Sequence, residues 1–184
     1  MSCDEPTPWT LPTVSRIVGT GTAVSCTTSA LSSAVTSAGS ITFNCGSAPV
    51  TIAITSEIQV TRASVVDGAG LVILDGGGVS QIFVVTSNNT LSVRNLRFIN
   101  GKAPDNAEAA GIGGAVSSNW RSKIEVIGCT FEDNAAARGG AVAVSTGSAL
   151  TIVSSRFLRN QSWYWGSRVQ PVVAAASHQQ RVRG

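Results

Sequence analysis

Three segments decide the fold: Leu91-Ser-Val-Arg-Asn-Leu-Arg-Phe98, Ile124-Glu-Val-Ile-Gly-Cys-Thr-Phe131 and Leu150-Thr-Ile-Val-Ser-Ser-Arg-Phe157. They align without gaps, and the columns Leu91/Ile124/Leu150, Val93/Val126/Ile152 and Phe98/Phe131/Phe157 are apolar at every level. The column Leu96/Cys129/Ser155 is small or apolar, which makes Cys129 an inward-facing core thiol. Asn95/Gly128/Ser154 falls between two inward runs, and these residue types accept the tight, often left-handed turn needed there. An Asn follows the second and third Phe at the third position (Asn134, Asn160) and the first Phe at the second (Asn100).

A second motif alternates with the first: Gly113-Gly-Ala-Val116 and Gly139-Gly-Ala-Val142. Gly-Gly-Ala supplies a second crowded corner. Seven extra residues in the first coil fall in the loop Gly101–Ile112. A period of about 26 residues made of short strands is one coil of a parallel β-helix. A single coil cannot bury its apolar face. Stacked coils can, with strands about 4.8 Å apart and like residues over like residues.

Upstream, Val50–Thr55, Ile58–Val60, Ser64–Val66, Val72–Leu74 and Ile82–Val85 read as further strands, with Asp67-Gly-Ala-Gly and Asp75-Gly-Gly-Gly as turns. Ser29–Ser37 places Leu31, Ala34 and Val35 at helical spacing, so a short helix is expected to cap the open end of the solenoid. The fold class is therefore all-β: a right-handed parallel β-helix of about five to six coils with a short N-terminal capping helix. The expected division is an N-terminal segment, 1–22, the β-helix, 23–160, and an atypical tail, 161–184. A helix content above about one quarter would contradict the coil alignment.

Composition agrees. The 184 residues are 43% apolar but only 5% aromatic and 12% charged, rich in the Val, Ile and Thr that favour strands. No apolar run reaches the roughly 18 residues of a membrane-spanning helix. The net charge of +3 is confined to the tail: residues 1–160 hold ten Lys and Arg against ten Asp and Glu, and Arg168, Arg181 and Arg183 make the surplus. A neutral body offers no footprint for a phosphate backbone, so no nucleic-acid partner is expected.

The cysteines are Cys3, Cys26, Cys45 and Cys129. No CxxC pair occurs and the single His is His178, so no metal site and no cofactor is expected. Cys26 and Cys45 flank a short segment and are the disulfide candidate, which would tie the cap to the first strand and imply an oxidising compartment; two unpaired buried thiols are the alternative. The opening Met-Ser-Cys-Asp-Glu-Pro is no signal peptide, so either a leader has been removed or the chain is a fragment.

Gly-Gly-Ala-Val alternating with Phe-x-x-Asn resembles the repeat of the chlamydial polymorphic outer-membrane proteins. The Asp-Gly-Ala-Gly and Asp-Gly-Gly-Gly turns followed by Leu-x-Val-x-Asn-Leu-x-Phe are similar to secreted bacterial β-helix proteins of pectate-lyase-like fold. The resemblance covers residues 23–160. It implies an exported, surface-associated protein, often an adhesin, and supplies no catalytic residues.

Lyases and hydrolases of this fold need clustered carboxylates from successive coils. Here Glu125 stands between Ser92 and Thr151, and Asp133 is followed by Arg159, so neither belongs to a carboxylate ladder. Asp67 and Asp75 precede Gly runs and read as turn residues bonding their own backbone. Arg94, Arg97 and Arg156 read as solvated outer-face cations. Thr51, Thr55, Thr90, Thr130 and Thr151 do not stack, which argues against an ice-binding array. Asn88-Asn-Thr and Asn160-Gln-Ser match the glycosylation pattern.

These features point to a non-catalytic exported surface or adhesin-like module, secreted or at the cell surface, binding a host-cell, glycan or cell-envelope ligand. The alternative is a fragment of a β-helix polysaccharide lyase or glycoside hydrolase. The C-terminal coil shows no cap, so self-association through that open end is expected. The tail reads as translated out of frame, because a one-base shift of Trp163-Tyr-Trp-Gly can restore Gly-Gly-Ala at 165, where the repeat requires it.

Overall fold

The structure, a computed structural model, describes residues 13–104 and 113–162 and the backbone of Val173–Ala175. The described residues form a parallel β-solenoid of about five turns, and 49% of them are strand and 8% helix. The strands Ser64–Asp75 and Thr90–Ile99 each continue past a corner onto a second wall of the solenoid. In the next two turns the same path is divided into Lys123–Ile127 with Thr130–Glu132, and Ala149–Val153 with Arg156–Leu158. A separate sheet stacks Ile58–Val60, Phe83–Val85, Val116–Ser118, Val142–Val144 and Val173–Ala175. Every pairing is parallel.

The register places the sequence columns over one another. Leu91, Ile124 and Leu150 are Cα partners in turn, as are Val93, Val126 and Ile152, and Phe98, Phe131 and Phe157. The three phenyl rings stack face to face, at 4.6 Å between Phe98 and Phe131 and 4.9 Å between Phe131 and Phe157. Phe83 meets Phe98 edge-on at 6.2 Å. Offset stacking of this kind adds to the area each ring already buries. Cys129 is buried among these columns as a free thiol.

The corner column is left-handed throughout, with φ of 49° at Asn95, 61° at Gly128 and 49° at Ser154. Upstream the corner is larger. Asp67 pairs with Arg94 and Val72 with Leu96, so four residues, Gly68 to Leu71, stand where later turns use one. The expected turn thus bulges within a single continuous strand, because φ is positive at Ala69 and Gly70 while pairing resumes on both sides.

A second left-handed column is formed by Asn100, Asp133 and Arg159, with φ between 50° and 54°. Asn100 therefore parts company with Asn134 and Asn160, which lie one position further on and are buried. There Asn134 Nδ2 donates to Asn160 Oδ1 (2.8 Å) and to the Phe98 carbonyl (3.1 Å), and Asn160 Nδ2 donates to the Phe131 carbonyl (2.9 Å). Gly101 takes the place of Asn in the preceding turn, its N–H donating to Asn134 Oδ1 at 2.8 Å. The Gly-Gly-Ala corners are as crowded as expected: a Cβ on Gly114 would lie 2.3 Å from the Gly140 carbonyl oxygen.

The helix Thr28–Thr36 is N-capped by Thr27, whose side chain accepts from the Ala30 N–H, and it buries Leu31, Ala34 and Val35 against the first coil. The first strand, Ser15–Val18, pairs with Gly39–Phe43, so the sheet begins ahead of the expected start at residue 23. Cys26 and Cys45 are joined by a disulfide, with Cα atoms 5.8 Å apart. At the other end, the backbone of Val173–Ala175 lies beside Val142–Val144. No strand alternation marks that stretch of sequence, but an open sheet edge pairs with extended backbone whatever its side chains. The segment around Trp163, expected from the sequence to be out of frame, lies outside the described residues.

Candidate functional site

Side chains that alternate with the core columns point outward, and the turns of the solenoid bring them into rows. On the wall carrying Arg97, the row runs Arg97, Thr130, Arg156, with Ile99, Glu132, Leu158 beside it. Glu132 receives Arg97 from one turn and Arg159 from the next, Arg97 Nε lying 3.1 Å from Glu132 Oε2. Arg159 also forks onto Asp133, with Nε and Nη2 each 2.8 Å from a carboxylate oxygen. Hydrogen bonds from Arg97 and then Arg159 hold the Glu132 carboxyl below the usual glutamate range, and Arg159 does the same for Asp133.

On the adjoining wall Glu125 sits between Ser92 and Thr151, as the alignment places it. Ser92 Oγ donates to Glu125 Oε2 at 2.6 Å, and Arg94 reaches the same oxygen at 3.1 Å. Arg94 also donates from Nε to Ser92 Oγ, so Arg94 and Arg97 serve ion pairs, while Arg156 is exposed and makes no ion pair among the described residues. Asp67 and Asp75 are turn residues: each Oδ1 accepts from a backbone N–H two positions on, Ala69 at 2.9 Å and Gly77 at 2.8 Å. Asn95 and Asn100 donate to the same two oxygens, both at 3.0 Å. Among the described residues no group of three His, Cys, Asp or Glu side chains is placed to hold a metal ion.

The remaining rows bear on two further sequence readings. Thr51 partners Ile73, Thr90 partners Lys123, Thr130 lies between Arg97 and Arg156, and Thr151 partners Glu125, so these threonines form no array. Asn160 is buried in the Asn ladder, whereas Asn88 stands exposed in a turn.

One corner drew no notice in the sequence. It is built from three stacked four-residue turns, Thr86 to Asn89, Asn119 to Ser122 and Ser145 to Ser148. Their third positions, Asn88, Arg121 and Gly147, are all left-handed (φ 62°, 53° and 72°). Hydrogen bonds lock turn to turn: Asn88 N–H to the Trp120 carbonyl (3.0 Å), Ser122 Oγ to the Thr86 carbonyl (2.9 Å), and Ser148 Oγ to the Asn119 carbonyl (2.9 Å). The second positions are the tips: Ser87, Trp120 and Thr146, with Trp120 60% exposed. Arg121 and Lys123 flank it, and Arg62 lies on the same corner two turns earlier, the carbonyl of Val60, two residues before it, accepting the Thr86 N–H. All three cations are exposed, and among the described residues none makes an ion pair. The turns themselves, 61–63, 86–90, 119–123 and 145–149, contain no Asp or Glu.

Arg121 signals itself only through alignment, at the third turn position opposite Asn88 and Gly147. No helix of the described residues is long and apolar enough to cross a membrane. The chain matches no described protein family, and no curated protein or solved structure is significantly similar to it.

Proposed function

We propose that this chain is a non-catalytic, exported β-solenoid module that presents a rigid surface to a ligand at or outside the cell, in the manner of an adhesin. The observation carrying this reading is how the outward charges are spent. Glu125, Glu132 and Asp133 are held by Arg, and Asp67 and Asp75 by backbone N–H groups, while unpaired cations gather with an exposed Trp at one corner. A general acid or base needs a carboxyl free to change protonation near neutral pH, and hydrogen bonds from arginine hold the Glu132 and Asp133 carboxyls below even the ordinary carboxylate range. The Cys26–Cys45 disulfide supports export, because such bonds persist mainly in oxidising compartments. The alternating Gly-Gly-Ala-Val and Phe-x-x-Asn motifs support a kinship with the repeats of the chlamydial polymorphic outer-membrane proteins.

The test is incubation with pectin-type polymers and Ca²⁺, together with measurement of binding of the labelled chain to fixed cells. Saturable binding that excess unlabelled chain displaces, with no unsaturated product, is the expected result. Turnover of the polymer would replace this reading with that of a polysaccharide lyase fragment.

A further inference from the structure

We infer that the corner carrying Trp120, Arg121, Lys123 and Arg62 binds an acidic polysaccharide, a chain of sugar rings bearing carboxylate or sulfate groups. The inference rests on the binding-module reading and names the ligand of that module. Three observations converge. Trp120 is 60% exposed at the tip of a turn whose backbone is tied to the turns on either side, so the residue is offered to solvent on a fixed support. An aromatic side chain with so few rotatable bonds loses little conformational entropy when a ligand covers it. Its position suits the apolar C–H face of a sugar ring.

The second observation is charge. Arg121 and Lys123 lie within three residues of the indole, Arg62 two turns away, about 10 Å along the axis at the usual strand spacing. No carboxylate occurs in these turns. The nearest acid along the strand, Glu125, is engaged by Arg94 and Ser92. Cations on an exposed corner without counter-charges attract an anionic polymer, and Arg matches carboxylate or sulfate through paired N–H donors. The third observation is the polar setting. Ser87, Asn88 and Thr146, exposed around the indole, present hydroxyl and amide groups that suit sugar hydroxyls. A nucleic acid fits less well, since three cations on an otherwise balanced body neutralise too few phosphates for firm binding at physiological salt.

The full chain is tested on immobilised polygalacturonate, heparin, uncharged dextran and single-stranded DNA of similar length. Binding to polygalacturonate or heparin is expected, weakening as salt rises, with dextran and DNA much weaker; the two acidic polymers distinguish carboxylate from sulfate recognition. Trp120→Ala and Arg121→Gly should each weaken binding about tenfold. Arg156→Ala, an exposed cation on another wall, should leave it unchanged. Arg121→Gly removes the cation while placing the residue best suited to positive φ, so its loss of binding cannot be ascribed to misfolding; circular dichroism checks the other variants. Failure to bind either acidic polymer overturns the inference, as does an equal effect of Arg156→Ala. Tighter binding to DNA with the same variant pattern overturns the ligand class. None of these results touches the binding-module reading, which falls if the polymers are cleaved or if the labelled chain shows no saturable binding to cells.

Discussion

Asn134 joins three turns of the solenoid: it accepts the Gly101 N–H, donates to the Phe98 carbonyl, and shares its amide with Asn160 Oδ1 across 2.8 Å. Asn134→Ala should therefore strand a buried N–H and a buried carbonyl, costing about 3 kcal/mol at about 1–3 kcal/mol for each group left unpaired. Urea titration should show a lower midpoint with an unchanged slope. Asn100→Ala, at a half-buried corner one position out of the ladder, should cost less.

The disulfide closes a segment with a sequence separation of 19. Reducing it should lower stability by about 3 kcal/mol, the chain-entropy value for a loop of that length. The check is thermal unfolding with and without a reductant, with Cys26→Ala/Cys45→Ala matching the reduced protein.

Acid should weaken the Glu132 junction. Its folded-state pKa lies below the unfolded value because Arg97 and Arg159 bond the ionised form. The stability it contributes is present above the unfolded pKa, near the ordinary 4.5, and is lost as pH falls through the folded value. Glu132→Gln should flatten the acid limb of a stability–pH curve by lowering neutral-pH stability, only slightly because the pairs are solvent-facing, and the two curves should converge in acid. Added salt should shrink the difference.

Cys129 should resist thiol reagents in the native state. Burial pushes its thiol up to about 12, so little of the reactive thiolate exists at neutral pH. Labelling with a disulfide-exchange reagent should proceed only at the rate of unfolding and become fast in denaturant. Rapid labelling of the folded chain would place Cys129 outside the core.

What could be read in the sequence was whatever repeats. Phe98, Phe131 and Phe157 identify the core because burial demands the same side chain in each turn, and Asn95, Gly128 and Ser154 mark a corner because few residue types accept its backbone. Gly101 hid the Asn ladder's first rung: it contributes only an N–H, and a Cβ there would come within 2.5 Å of the Gly114 carbonyl oxygen. Asn100, adjacent and of the expected type, drew the attention instead. Trp120 escaped for the opposite reason. Its counterparts are Ser87 and Thr146, so it stands where one coil differs from its neighbours and no column of like residues marks it. The ion pairs of Glu132 were partly legible, through Asp133 and Arg159 in neighbouring turns, but the reach of Arg97 across the row required coordinates.

Because the hydrogen bonds between strands run along the solenoid axis, a pull along that axis loads them end-on, one layer at a time. Such a rod yields by peeling, layer after layer, under a nearly constant tension. The Cys26–Cys45 bond closes the helix Thr28–Thr36 and the strand Gly39–Phe43 into one covalent loop, so that segment cannot be drawn out to its full length, whereas the strands on either side of it can. Under flow or traction such a module lengthens everywhere except at its cap.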